Sequence, residues 1–199
     1  MKVLVIGGSG TIGKAIVKEL SQRHEVLVAG RQHGSVEVDI CDCTSIQNMY
    51  NTVGMLDSVV IASGSVHFGE LNTMNDDLYQ KGIKSKLMGQ VNTVLLGIPF
   101  LKDKGSFTLT SGILNRSPIV QGSSAAMVNG AIDGFVISSA IEMPRGIRIN
   151  AVSPTVITEA MGSYAPFFRG FKPVSAYDAS LAYSKSVEGA QTGQIYLVD

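Results

Sequence analysis

Net charge, cysteine, long apolar runs and internal repeats are all scarce in this 199-residue chain, and each scarcity removes a class of function. Sixteen basic residues stand against sixteen acidic ones, and no run of Lys or Arg occurs. Neither nucleic acid nor an anionic membrane surface is therefore expected as a partner, and a small-molecule substrate fits better. No uninterrupted apolar segment is long enough to span a bilayer, and no charged-then-apolar leader precedes the first strand, which implies a cytosolic protein. The two cysteines, Cys41 and Cys43, flank Asp42. No internal bridge is expected at this spacing, and two cysteines alone do not complete a structural zinc site, so no metal site is expected. Free structural thiols are the expectation, with redox or adventitious metal chemistry the alternative. His24 and His33 fall at strand edges and support no catalytic argument; His67 is either a structural or solvated histidine or an acid near neutral pH.

What is abundant is glycine, at 22 residues, and the first cluster of it organises the chain. Val3 to Ile6 is a short, β-branched apolar run of the kind that forms a buried parallel strand. It stops at Gly7 and Gly8, and Gly8, Ser9, Gly10, Thr11, Ile12 and Gly13 then give G-x-G-x-x-G before Ala15, Ile16 and Leu20 recur at helical spacing. Glycines there allow a tight turn, close approach of a pyrophosphate and close packing of helix on strand, with the helix N-terminus facing the phosphates. Gly7 to Gly13 is the expected dinucleotide-binding loop.

A second strand, Glu25 to Ala29, ends at Gly30 and Arg31. At this strand end an acid accepts from the ribose of NAD, whereas an Arg accommodates the 2′-phosphate of NADP. Arg31 predicts NADP, and a solvated strand-end cation is the other reading of it. A third strand, Val36 to Val38, follows so soon that no crossover helix fits between strands two and three, because Gln32 to Ser35 can return only about 14 Å. Asp39 and Ile40 then sit where ligands bind, with Asp39 either an adenine contact or a polar loop residue. Thr44 is expected to cap a helix to about Val53. Ser58 to Ile61 is the fourth strand, followed by small residues, Ala62, Ser63, Gly64 and Ser65, that let a ligand approach. Thr73 to Asp76 is expected to cap a long helix toward Leu96, which Pro99 bends or ends. Ser106 to Leu109, Arg148 to Val152 and Gln194 to Val198 are the remaining strands, with helices over about 124–141 and 176–186. Strands alternating with helices predict an α/β fold, a doubly wound parallel sheet in a single domain over residues 1–199. The helix near 124–141 has one ionisable residue, Asp133. With its neighbour at 76–96, it predicts a homodimer or homotetramer.

Several of these pieces together resemble the short-chain dehydrogenase/reductase family: GGSGTIG, the AGR and VDI strand ends, ASGS at Ala62 to Ser65, Thr110-Ser111, PRGIRINAVSPT at Pro144 to Thr155, and the closing Thr192 to Asp199. The resemblance implies a Rossmann fold binding NADP(H), with Pro154, Thr155 and Val156 beside the nicotinamide and the loop Glu159 to Pro173 over the substrate. It also exposes departures. The family's Y-x-x-x-K pair is replaced by Ala125 and Asn129, and Lys86 to Gly89 stands where an Asn is usual. Ser111 survives from the usual set, and Lys86 becomes the candidate to supply charge. The reading that follows is an NADP-dependent oxidoreductase of a small carbonyl or enone, with Ser111 and Lys86 as catalytic residues. Tyr79, Tyr164, Tyr177 and His67 are the other candidate acids. The alternatives are a non-catalytic dinucleotide-binding sensor or regulatory subunit, and an isomerase or dehydratase on the same scaffold.

Overall fold

Seven strands carry the architecture: β1 (Lys2–Ile6), β2 (Glu25–Gly30), β3 (Val36–Glu37), β4 (Leu56–Ile61), β5 (Leu101–Thr110), β6 (Arg148–Pro154) and β7 (Ile195–Val198). In the computed structural model, which describes residues 1–32 and 34–199, they form one parallel sheet in the order β3-β2-β1-β4-β5-β6-β7. His33 lies outside the described residues. The order reverses between β1 and β4, which opens a crevice at the C-terminal ends of those strands.

Alternation along β1 shows how the sheet acquires two covered faces. Val3 and Val5 join Ile16 and Leu20 of helix α1 (Thr11–Leu20) and Tyr183 and Val187 of helix α7 (Ala176–Glu188). Leu4 and Ile6 point the other way, into the larger core. There they meet Met49 and Tyr50 of α2 (Cys43–Val53), Val94 of α4 (Gly89–Gly97) and Ile132 of α5 (Ser123–Ser139). Each fully buried aliphatic or aromatic side chain contributes about 1.5–3 kcal/mol, so a strand apolar on both faces is stable only between two helical layers.

The connection between β2 and β3 contains no helix among its described residues. Ser35 N donates to Val28 O at 2.9 Å, so the chain doubles back along β2. Gly34 is required at this fold-back, because a Cβ there would lie 2.7 Å from Val28 O. β3 pairs through two residues, Ala29 with Val36 and Gly30 with Glu37.

Three local expectations are corrected. Asp42, not Thr44, caps α2, accepting from Thr44 N at 2.8 Å; a carboxylate two residues earlier, at the cap position, outcompetes a hydroxyl already inside the helix. Asn75, not Thr73, caps α3 (Asp76–Gly82), accepting from Leu78 N at 3.0 Å, while Thr73 donates back to Glu70 O. The long helix after it is also irregular: a π-helical turn, Ile83–Met88, separates α3 from α4. Pro99 ends α4 in a 3₁₀ turn, as expected. Among the described residues no helix is long and apolar enough to cross a membrane, and no group of three or more His, Cys, Asp or Glu gathers in a metal-binding arrangement. Cys41 and Cys43 are free and exposed.

Candidate active site

Between β1 and α1 the chain turns so tightly that side chains are excluded. Gly7 has φ 84°, and a Cβ on it would sit 2.5 Å from Ala62 O; a Cβ on Gly13 would collide with the Gly7 carbonyl. Gly8 rests on Val28 and Val17, so α1 packs directly on β2. The cap of α1, Gly10, offers no side-chain acceptor to the first-turn amides. Amides and helix dipole together fit a pyrophosphate, and the glycines leave space for its approach.

A cleft of about 750 Å³ runs from this loop across the ends of β1, β2 and β4. Of the residues expected to hold the dinucleotide, Gly7, Ser9, Gly10, Arg31, Asp39, Ile40, Ala62, Ser63 and Gly64 line it. Thr11 opens instead onto a neighbouring hollow between α1 and α7, and Ile12 packs under the loop in the core. Pro154, Thr155 and Val156 are buried at the end of β6, on the far side of the switch point. Asp39 has structural work of its own: one carboxylate oxygen accepts from Cys41 N at 2.9 Å and fixes the turn into α2. The structure adds a residue the sequence reading missed. The register of β3 places Glu37 beside Gly30, in the same cleft as the exposed Arg31.

Beyond Gly64 and Ser85, which line the far end of the cleft, the π-helical turn sets Lys86. Gly64, at φ 125°, leaves no room for a side chain against it, since a Cβ would lie 2.7 Å from Lys86 Cα. Lys86 Nζ donates to Ser111 O at 2.8 Å and to Asn129 Oδ1 at 2.7 Å, and Asn129 Nδ2 donates to Gly112 O at 3.1 Å. The two departures noted in the sequence are therefore in contact: the side chains of Lys86 and Asn129 meet. Gln90, fully buried, closes the arrangement from below. Its Nε2 donates to Lys86 O and Thr110 O, and its Oε1 accepts from Thr110 N. Burial pushes the Lys86 ammonium down to about 8, and the charge of Asp133, one turn beyond Asn129 on α5, partly opposes that shift. Asp133 is itself held by Asn115 Nδ2 at 2.6 Å. Ser111 Oγ is buried with no hydrogen-bond partner among the described residues. An ammonium has three donors, and two of these are spent on fixed acceptors. A buried hydroxyl and an ammonium with one donor left thus share the end of β5.

Ala125 lies one turn before Asn129 and belongs to an apolar cluster with Ile113, Leu114, Val156 and Phe168, backed by Val66, Phe68, Met161 and Phe171. The segment after β6, including the short helix α6 (Met161–Tyr164), reaches this cluster through Phe168, 7% exposed and the one buried residue between Met161 and Lys172. Burying one Phe contributes about 1.5–3 kcal/mol, a modest anchor for a loop of this length. The other candidate acids are placed elsewhere. Tyr79 Oη pairs with Ser123 Oγ at 3.0 Å, and Tyr177 lines the hollow beside α1. Tyr164 packs on the rings of Phe68 and Phe168, and His67 lies against Gly69.

Comparison with known proteins agrees with this geometry. A family model described as enoyl-(acyl carrier protein) reductase matches residues 9–197. A search of curated proteins finds no match. Among solved structures, the protein lin1944 from Listeria innocua is 53% identical, with 100% of both chains covered and a TM-score of 0.99. A small-chain dehydrogenase is 30% identical over 100% of this chain and 96% of its own, with a TM-score of 0.86. A small-chain dehydrogenase in complex with NADPH is 28% identical over the same shares, with a TM-score of 0.89. Strand order, glycine loop and a sequence match over nearly the whole length converge, and the chain belongs to the short-chain dehydrogenase/reductase family of oxidoreductases.

Proposed function

We propose that the protein is an NADP(H)-dependent reductase of a small carbonyl compound, with Lys86 as proton donor and Ser111 as the hydroxyl that holds the carbonyl oxygen. The observation that carries this reading is the Lys86 ammonium, fixed by Ser111 O and Asn129 Oδ1 next to the unpartnered Ser111 Oγ. The bound reduced dinucleotide supplies hydride. The chain does the rest: Ser111 Oγ donates to the substrate oxygen, Lys86 Nζ releases a proton to it as negative charge develops, and solvent re-protonates the amine. An acid with a pKa near the working pH suits that task. Arg31 favours the 2′-phosphate of NADP through a charge-assisted hydrogen bond of about 1.5–3 kcal/mol. Glu37 in the same cleft opposes it, so the preference is narrower than Arg31 alone gives. The solved relative bound to NADPH supports the same cofactor.

The second reading, a dinucleotide-binding protein without turnover, draws on one observation, that Phe168 closes the cluster at Ala125. Fluorescence titration with NADPH, followed by a panel of aldehydes, ketones, quinones and enones, separates the two. Turnover lost in both Lys86→Met and Ser111→Ala supports the reductase; tight binding with no turnover anywhere supports the sensor. The assembly proposed with it is a homodimer or homotetramer through α4 and α5. Leu95, Met127 and Ile137 are exposed on these helices, and Gly134 has open space beside it. Light scattering showing only monomer at micromolar concentration contradicts that assembly.

A further inference from the structure

The cluster above Ser111 and Lys86 constrains what the site takes. Val66, Phe68, Ile113, Val156, Phe168 and Phe171 pack with Ala125 in one apolar cluster, and the turn after β5 beside it carries the Ser111 hydroxyl and, bonded to Ser111 O, the Lys86 ammonium. Phe168 presents its ring edge to Tyr164 and Phe171, with centroids 6.2 and 5.2 Å apart. The segment after β6 is fastened here by one flat ring packed among other rings, so a flat ring fits the position that Phe168 occupies.

Proton supply gives an independent constraint. A saturated ketone that accepts hydride becomes an alkoxide, which needs a proton positioned on it in the transition state. A conjugated ring dicarbonyl becomes a phenolate-type anion, whose acid has a pKa of about 10, like tyrosine. With Ala at position 125, the chain has no hydroxyl there to serve the first kind of substrate. A resonance-stabilised anion is within the capacity of an ammonium already committed to two acceptors.

We propose that the substrate is a flat, quinone-type dicarbonyl whose ring takes the place of the Phe168 ring beside Ala125, with one carbonyl oxygen against Ser111 Oγ and Lys86 Nζ. This rests on the reductase reading above. In balance, the quinone gains a hydride from a reduced nicotinamide dinucleotide and a proton from Lys86 Nζ, and two O–H bonds form. The quinone is reduced to hydroquinone, the dinucleotide is oxidised, and Lys86 recovers its proton from solvent.

Duroquinone is the probe, because its methylated ring denies the exposed Cys41 and Cys43 thiols a position to add to. Cyclohexanone is the saturated control of similar ring size. With NADPH, the kcat/KM for duroquinone is expected to exceed that for cyclohexanone by at least about 100-fold, the low end of what a positioned donor contributes. Without any dinucleotide, ligand-observed NMR reads duroquinone binding directly. Phe168→Ala is expected to tighten it about three- to tenfold, because less of the protein is held in the closed state. Phe168→Leu moves it the same way by less, should the alanine variant fold poorly. Ala125→Tyr, which puts a ring of its own where the substrate ring would replace that of Phe168, is expected to abolish binding. Preference for cyclohexanone, or duroquinone binding indifferent to both Phe168→Leu and Ala125→Tyr, overturns this proposal and leaves the reductase reading standing. No turnover of any carbonyl by protein that still binds NADPH overturns the reductase reading and this proposal with it.

Discussion

The cleft's adenine end is walled by short, exposed pieces: β3 pairs through two residues, and Arg31 and Glu37 lie at the surface. At its reaction end Lys86, Gln90, Ser111 and Asn129 come from two helices and a strand, and the bonds among them and to neighbouring carbonyls leave each dependent on the others. Exposed groups act one at a time and are screened by solvent, so changes there should be graded and nearly additive. A buried network responds as a unit, because removing one member strands the others. The two ends are thus built in two different ways, and mutations at them should behave differently.

The largest expected effect lies at the reaction end. Lys86→Met should lower kcat/KM about 10²–10⁴-fold while leaving NADPH affinity within a few-fold, measured by steady-state kinetics and fluorescence titration. Lys86→Asn should be similar, and adding Asn129→Lys should recover about tenfold or more, because the charge returns to the same pair. Recovery absent from the double variant breaks the view of the two residues as one pair.

Stability gives the next test. The Lys86 ammonium has a folded-state pKa of about 8, below its ordinary value of 10.5. Between those values the unfolded chain holds more protons than the folded one, so this group makes stability rise with pH across the window. Urea denaturation at pH 7.5 and 9.5 should show the parent gaining on Lys86→Met, by on the order of 1–3 kcal/mol at most. An equal pH response in both proteins would show that the ammonium is not enclosed in solution.

At the adenine end Arg31→Ala should cost about tenfold in NADPH affinity and leave NADH unchanged, and Glu37→Gln should tighten NADPH by less. Unequal salt sensitivity is part of the comparison: the Arg31 effect should shrink at high ionic strength and the Lys86 effect should not. The smallest change is expected for Asp133→Asn. As a general acid Lys86 must be protonated, so turnover should decline above about pH 8, and loss of the Asp133 charge should move that break downward by less than about one unit. A break that stays put removes Asp133 from the account.

What could be read from residue types alone follows the same division. The glycine loop after β1 and the short β2–β3 connection are local in sequence, and the structure shows both; Ala125, Asn129 and Lys86 could likewise be singled out from the sequence. The caps at Asp42 and Asn75 were missed because each stands two residues from a threonine that satisfies the same pattern. Glu37 escaped notice because a two-residue strand has no periodicity from which to read its register. The partnership of Lys86 with Asn129 spans 43 residues and depends on how the helix carrying Lys86 is rotated, and no residue type spells out a π-helical turn.

That turn is a phase shift in the helix. One extra residue per turn advances everything before it by about 100° relative to everything after it, at 3.6 residues per regular turn. Downstream, Thr93 and Gly97 keep the angular setting that seats Tyr50 against α4; upstream, α3 keeps the setting that brings Tyr79 to Ser123. Deleting a single residue between Ile83 and Ser85 would restore ordinary winding, and the two halves could not both stay in phase with their neighbours. The Lys86 amine is held at the seam between two helical settings, so a length change would part it from Asn129 and the Ser111 carbonyl with every one of these side chains still present.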